Sequence, residues 1–244
     1  MGILTGRLAR PAAIAFDLDG TLVDTVPVRI RAGRQALHEA GILTTEQSVA
    51  HLIGSDGRFV AQESARAAGR PISAPRSEAI DHRQGEIFDA LNVKPRPLPA
   101  SRALLMMLDG RNVPWVIATS SRPEQVGVSV RALRLPRPPA IVDGLDAPRG
   151  KPAPDLLLKA ARVLGVPPAR CWYIGDSTWD MVAAKAAKMP AVAVTAGSAV
   201  GAGDLREAGA TVVCTTLRGV MRLVRREPPT RDRKSRSGTR PKSS

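Results

Sequence analysis

The run FDLDGT at 16–21 places two carboxylates, Asp17 and Asp19, two residues apart at the end of a short apolar stretch, AAIAFD at 12–17. Gly20 and Thr21 follow, so the chain must turn there. A carboxylate at a strand end can attack phosphorus and form an acyl phosphate. A second carboxylate two residues on can give a proton to the leaving oxygen and later take one from water. This assigns Asp17 as nucleophile and Asp19 as general acid/base. A turn rich in Asp and Gly, or part of a calcium loop, shows the same local pattern. An EF-hand loop needs further acids at set positions and a closing Glu, and the continuation TLVDTVPV lacks them.

Position now matters more than composition. Further apolar runs occur at PWVIAT (114–119), AIVDG (140–144), CWYIGD (171–176), AVAVT (191–195) and TVVC (211–214). Their length and their Val and Ile content predict strands buried on both faces. Helical patterns lie between most of them, at 101–110, 123–133, 154–165 and 177–188. The second and third of these begin at Pro, and the third ends at Gly. Strands alternating with helices imply an α/β fold, with a Rossmann-like, doubly wound parallel sheet and right-handed crossovers. Ligands bind beyond the C-terminal strand ends of such sheets. The first, second and fourth strands end at Asp17, Thr119 and Asp176, so those groups should meet at one edge.

Residues 25–95 interrupt the alternation with helical stretches at 27–40, 58–69 and 76–91. They read as a helical lid inserted beside the reactive edge, with KPRPLP at 94–99 as a stiff return. The expected division is a core of 1–24 and 96–224, a helical cap of 25–95, and a disordered basic tail of 225–244.

Four separated motifs carry a resemblance. They are DLDGT at 17–21, Thr119 closing VIAT before Ser120 and Ser121, Lys151 in GKPAPD at 150–155, and GDSTWD at 175–180. Together they resemble the haloacid dehalogenase (HAD) superfamily, in its helical-cap phosphatases of phosphoglycolate phosphatase and beta-phosphoglucomutase type. The resemblance implies Mg²⁺-dependent hydrolysis of a small phosphate monoester through a phosphorylated Asp17. It implies Mg²⁺ ligands from the Asp17 carboxylate, the Asp19 backbone carbonyl and the Asp176 carboxylate. A phosphomonoester is a dianion and Asp17 is an anion, so their approach needs a cation that offsets the repulsion. Thr119 and the Ser120 amide are then phosphoryl donors, and Lys151 supplies fixed positive charge. Asp180 lies about one helical turn beyond Asp176. It either orients Lys151 or a metal-bound water, or is an ordinary acid in a helix's first turn. Metal-free dehalogenases of the superfamily share the Asp nucleophile but lack the second Asp and the metal, and Asp19 and Asp176 argue against that reading. The mutase relatives carry a cap-linker His shortly after the equivalent of Asp24; here Arg29 lies in that neighbourhood and no His occurs until 38, which tilts toward hydrolysis and leaves a phosphomutase as the alternative. Phosphoglycolate and sugar phosphates are the substrates the resemblance suggests.

Composition bounds the rest. Aromatics are 3% of the chain, too few for a base-stacking surface, so nucleic acid is not the expected partner. The formal net charge is +14, and residues 222–244 hold nine Lys or Arg against two acids. Those basic residues leave open a polyanion-binding role for the tail through counterion release. Cys171 and Cys214 read as small buried hydrophobes, with no disulfide framework. No apolar run approaches a membrane span, and the expected location is the cytoplasm. His38, His51 and His82 show no ligand spacing. Arg29 and Arg58 read as exposed charges, and Asp24 as a helix cap or a residue of the site entrance. Truncation to residues 1–224 should leave phosphatase activity unchanged. Salt-sensitive RNA or DNA binding that disappears with the tail would instead support the polyanion reading.

Overall fold

Ala13–Phe16 (β1) lies at the centre of the sheet, and its four side chains alternate between two different layers. A computed structural model describes residues 8–225 of the chain. After β1 come Val23–Asp24 (β2), then Val26–Glu39 (α1), Glu46–Ala50 (α2), Gly57–Ala67 (α3) and Ala74–Leu91 (α4). Arg96–Pro97 (β3) leads to Ser101–Gly110 (α5), Trp115–Ala118 (β4), Pro123–Ala132 (α6) and Ile141–Val142 (β5). The chain continues through Asp155–Val163 (α7), Cys171–Gly175 (β6), Thr178–Ala186 (α8) and Ala191–Val194 (β7). Ala202–Glu207 (α9), Val212–Cys214 (β8) and Leu217–Arg225 (α10) complete it.

Six strands form one parallel sheet in the order β5-β4-β1-β6-β7-β8. All six apolar runs of the sequence are strands. Ala13 and Ala15 face a layer that includes Leu156, Leu157 and Ala160 of α7 and Met181, Ala183 and Ala184 of α8. Ile14 and Phe16 face Leu104, Leu105 and Leu108 of α5 and Leu217 and Val220 of α10. Small residues on one side let the helices approach closely, and larger ones fill the other. This is how a core whose fully buried aromatics are Phe16, Trp172 and Tyr173 still closes.

The α1–α4 insert has its own apolar centre, which includes Val26, Ile30, Leu37, Val49, Ile80, Ile87 and Phe88. The return segment at 94–99 is more than a stiff linker. Arg96 pairs with Asp24 and Pro97 with Val23 in a two-residue antiparallel ribbon that joins the insert's start and end. Two residues carry no readable period, so this ribbon and the five-residue α2 are invisible to pattern reading. The basic tail lies outside the described residues, apart from Arg225 at the end of α10.

The insert is closed onto the sheet edge. Arg122 Nη2 donates to Glu78 at 2.5 Å and Asp81 at 2.7 Å, both on α4. The Trp179 indole donates to the His51 carbonyl at 2.8 Å and stacks edge-on against Phe59 at 5.1 Å. At this seam Gly54 has φ +93°, and a Cβ there would overlap the Ser177 hydroxyl. Gly54→Ala is therefore expected to lower stability by roughly 1–3 kcal/mol. The check is the urea midpoint of unfolding; an unshifted midpoint would contradict the tight seam.

Candidate active site

Asp17 emerges from the end of β1 with its backbone N–H donating to the Ile174 carbonyl of β6 at 2.8 Å. Its carboxylate is 3% exposed. Lys151, 1% exposed, comes from the turn before α7 and donates from Nζ to Asp17 Oδ1 at 2.6 Å. The same ammonium reaches Asp180 Oδ1 at 2.8 Å and the Tyr173 hydroxyl at 3.3 Å. Burial alone would lower the Lys151 pKa, but Asp17 and Asp180 outweigh it and hold it well above the ordinary lysine value.

Asp180 shows how local folding serves the site. Ser177 caps α8 and Asp180 completes the capping box, so helix initiation fixes the carboxylate. Its Oδ2 accepts from the Asp176 and Ser177 amides at 3.2 and 3.0 Å and from the Ser177 hydroxyl at 2.7 Å. Its Oδ1 accepts from Lys151 and Tyr173. Both oxygens are spent, so Asp180 holds the lysine in place. It is an acid of the helix's first turns and a site residue at once.

Asp176 follows β6 and is likewise 3% exposed. Its Oδ1 accepts from the Thr21 hydroxyl at 2.8 Å. Oxygens of Asp17, Asp176 and Asp180 lie within 4.8 Å of one another. Burial pushes Asp17 up to about 7 against the pull of Lys151. Burial, then repulsion from Asp180 and Asp17, raises Asp176 well above the carboxylate range. Three crowded carboxylates facing one lysine make a site that favours a further cation. Among the described residues, Asp17 Oδ2 and Asp176 Oδ2 have no hydrogen-bond donor, whereas Asp180 has no oxygen to spare. The donor set therefore fits a hard divalent ion held by Asp17 and Asp176.

Asp19 has different company. Thr25 donates to its Oδ1 at 2.5 Å, and Ser121 to its Oδ2 at 2.7 Å. Arg29 Nη2, from α1 of the insert, donates to Oδ2 at 2.8 Å. Burial would raise the Asp19 pKa, but the Arg29 charge and the two hydroxyls overcome it and hold the carboxyl below its ordinary value. Arg29 is 7% exposed, which corrects its reading as a surface charge. It stands on the buried stripe of α1 with Val26, Ala32, Gly33 and Ala36, packs its guanidinium on Phe88 of α4, and reaches Asp19 and Ser121 of the core. Arg58 is bound to Asp56, at 2.6 Å between Nη2 and Oδ2, and is half-buried. Asp24 is exposed and Thr25 stands at the N-cap of α1, so Asp24 does not cap that helix. His38, His51 and His82 are exposed on the insert.

The loop after β4 supplies the remaining polar groups. Thr119 Oγ1 accepts from the Ser121 amide at 3.2 Å, and the Thr119 amide donates to Val142. Ser120 Oγ is buried without a partner. Asp17, Asp19, Arg29, Thr119, Ser120 and Lys151 line one cavity of about 50 Å³. Thr25, Ser121, Gln125 and Tyr173 belong to this network and escaped the sequence reading. Ser121 alone had a signal, as the second Ser after Thr119.

The haloacid dehalogenase-like hydrolase family profile matches residues 11–188. A phosphoglycolate phosphatase of Neisseria gonorrhoeae is 32% identical over 195 residues, covering 76% of this chain and 80% of that one. Hexitol phosphatase A of Escherichia coli is 32% identical, covering 74% and 82%. The crystal structure of a hydrolase from Pseudomonas syringae superposes with a TM-score of 0.81 at 32% identity, covering 86% and 97%. A beta-phosphoglucomutase from Clostridium difficile, at 20% identity, shares the fold with a TM-score of 0.74, covering 88% and 97%. The chain belongs to the haloacid dehalogenase-like hydrolase family and is an enzyme of its phosphatase branch.

Proposed function

We propose that the protein hydrolyses a small phosphate monoester in two in-line steps at Asp17, with Mg²⁺ held by Asp17, Asp176 and the Asp19 carbonyl. The observation that carries this reading is the buried Asp17 carboxylate. Lys151 fixes one oxygen at 2.6 Å, and the other is unpaired among the described residues beside the Thr119–Ser120 loop. In the first step the Asp17 carboxylate attacks phosphorus, the bond to the ester oxygen breaks, and that oxygen takes a proton from Asp19. In the second step Asp19 takes a proton from water, the water oxygen bonds to phosphorus, and the bond to Asp17 breaks. The products are the alcohol and inorganic phosphate, and Asp17 is regenerated.

The chain's own groups account for most of the positioning. Thr119, whose Oγ1 accepts from the Ser121 amide and keeps its own proton, and the Ser120 amide are the donors to the phosphoryl oxygens. Lys151 neutralises part of the charge that gathers when dianion and carboxylate meet. A bound Mg²⁺ supplies the remaining neutralisation and polarises the phosphoryl group. Asp19 is held as a carboxylate by Arg29 in the closed structure, which suits its role as base in the second step. For the first step the substrate must displace the Arg29 contact and Asp19 must take up a proton, which a phosphomonoester arriving as its monoanion can supply; the water of the second step restores it.

The relatives' names support a small ester, since one is a phosphoglycolate phosphatase and another a hexitol phosphatase. The test is phosphate release from a panel of phosphomonoesters with Mg²⁺ or EDTA. Wild type with Mg²⁺ is expected to be active, while EDTA treatment and Asp17→Asn should each abolish turnover. Activity that persists in EDTA, or an unimpaired Asp17→Asn enzyme, contradicts the proposal. Lys151→Met is expected to lower kcat by about 10²–10³-fold, the usual scale for losing a preorganised charge. A loss under tenfold would remove Lys151 from the mechanism.

A further inference from the structure

The side-chain partners of Lys151 all belong to the core: Asp17, Asp180 and Tyr173. Its backbone is held from the insert. The Asp56 amide donates to the Lys151 carbonyl at 3.1 Å. Asp56 is the N-cap of α3, and its Oδ1 accepts from the Arg58 amide at 2.9 Å. Arg58 Nε and Nη2 also donate to this carboxylate, at 2.9 and 2.6 Å. The insert residue that touches the lysine is therefore itself pinned. Lys151 needs such a support, because residues 143–154, between β5 and α7, form no helix or strand of their own.

The contact leaves no spare room. A Cβ on Gly150 would overlap the Asp56 carboxylate and stand 2.6 Å from the Asp56 Cβ. The three atoms nearest to it all belong to the Asp56 side chain. Gly150 has no positive φ, so its backbone would accept another residue. Its missing side chain serves the approach of the insert. The same short loop bears on the lysine's other support. A Cβ on Gly54 would stand 2.5 Å from the Ser177 Cβ. Ser177 donates to Asp180 Oδ2, and Asp180 Oδ1 accepts from the Lys151 ammonium. Residues 54–56 thus bear on Lys151 directly at its carbonyl and, through Ser177 and Asp180, at its Nζ.

We infer that Asp56 is a positioning residue for Lys151, and that Gly150 is the space through which it acts. The inference rests on the phosphatase reading above. It adds that the insert sets a core charge in place through the main chain, besides covering the cavity. With the insert displaced, the Lys151 carbonyl loses its donor and Ser177 loses its wall. The ammonium is then free to shift between Asp17 and Asp180. A misplacement of about 1 Å costs on the order of 10²-fold in rate. The loss falls on kcat, because the lysine's charge is used most when phosphate and carboxylate meet in the transition state.

The test is a double-mutant cycle across the seam in the full chain with Mg²⁺, read on p-nitrophenyl phosphate and on the best ester of the panel above. Gly150→Ala keeps Lys151 and all its side-chain partners but blocks the seat of Asp56. It is expected to lower kcat by about 10–100-fold while KM moves by less than about threefold. Asp56→Gly removes the side chain that causes the overlap, and Gly is a tolerated N-cap. The double variant is expected to recover to within about threefold of Asp56→Gly alone. In a Lys151→Met background, Gly150→Ala should cost less than about twofold more, since the lysine it would misplace is gone. The Asp56 amide should exchange with deuterium roughly tenfold faster in Gly150→Ala than in wild type. A Gly150→Ala enzyme with wild-type kcat, losses that simply multiply in the double variant, a full loss in the Lys151→Met background, or unchanged exchange at Asp56 each overturns the inference and leaves the phosphatase reading intact. A wild type that releases phosphate from none of the esters overturns both.

Discussion

Four aspartates meet at the C-terminal edge of one sheet, and their mutual repulsion is the constraint around which this molecule is arranged. Asp17 and Asp176 sit at the ends of neighbouring strands, and Asp19 and Asp180 follow them within one turn. Isolated burial of even one carboxylate would cost several kcal/mol. Lys151 answers two of them from a single buried ammonium, and Arg29 answers a third. Asp176 accepts from the Thr21 hydroxyl and feels the Lys151 charge, but among the described residues no cation contacts it. A site in this condition is stable only with a further cation or a raised pKa, and a proposed Mg²⁺ turns that deficit into catalysis.

The scaffold follows from the same requirement. Groups that repel one another are held together only by rigid supports, and here these are a fully buried central strand and a capped helix. Ala13–Phe16 is sealed on both faces, so Asp17 has no freedom to move away from Lys151. The capping box at Ser177 fixes Asp180, which in turn fixes the lysine. The helical insert adds the one contact the core lacks. It delivers Arg29 to Asp19 and, through Arg122 with Glu78 and Asp81, is tied to the loop that carries Ser120. Closure of the insert and charge balance at Asp19 are thus one event.

Much of this was legible in the residues. The six strands followed from short runs rich in Val and Ile, although the edge strands β5 and β8 are only partly buried, and the order of the runs placed Asp17, Thr119 and Asp176 at one edge. Lys151 and Asp180 were legible only as members of a motif set, because a lysine before a proline and an acid in a helix's first turn are each commonplace. Arg29 was misread. It stands on the buried stripe of α1 with Val26, Gly33 and Ala36, but a positive charge there reads as solvated because its partners Phe88, Gln125 and Ser121 lie far from it in the chain. The β2–β3 ribbon was missed for a related reason, since two-residue strands are defined by partners and not by their own sequence.

The attack of Asp17 on phosphorus is best tested by catching the phosphorylated enzyme. The full chain with Mg²⁺ is mixed with a turned-over phosphomonoester, quenched in acid within one turnover, and digested for mass spectrometry. The expected result is one added phosphoryl group on the peptide that contains Asp17, sensitive to hydroxylamine and absent from Asp17→Asn. A phosphoryl group on any other residue, or an active Asp17→Asn enzyme, would contradict the central role assigned to Asp17.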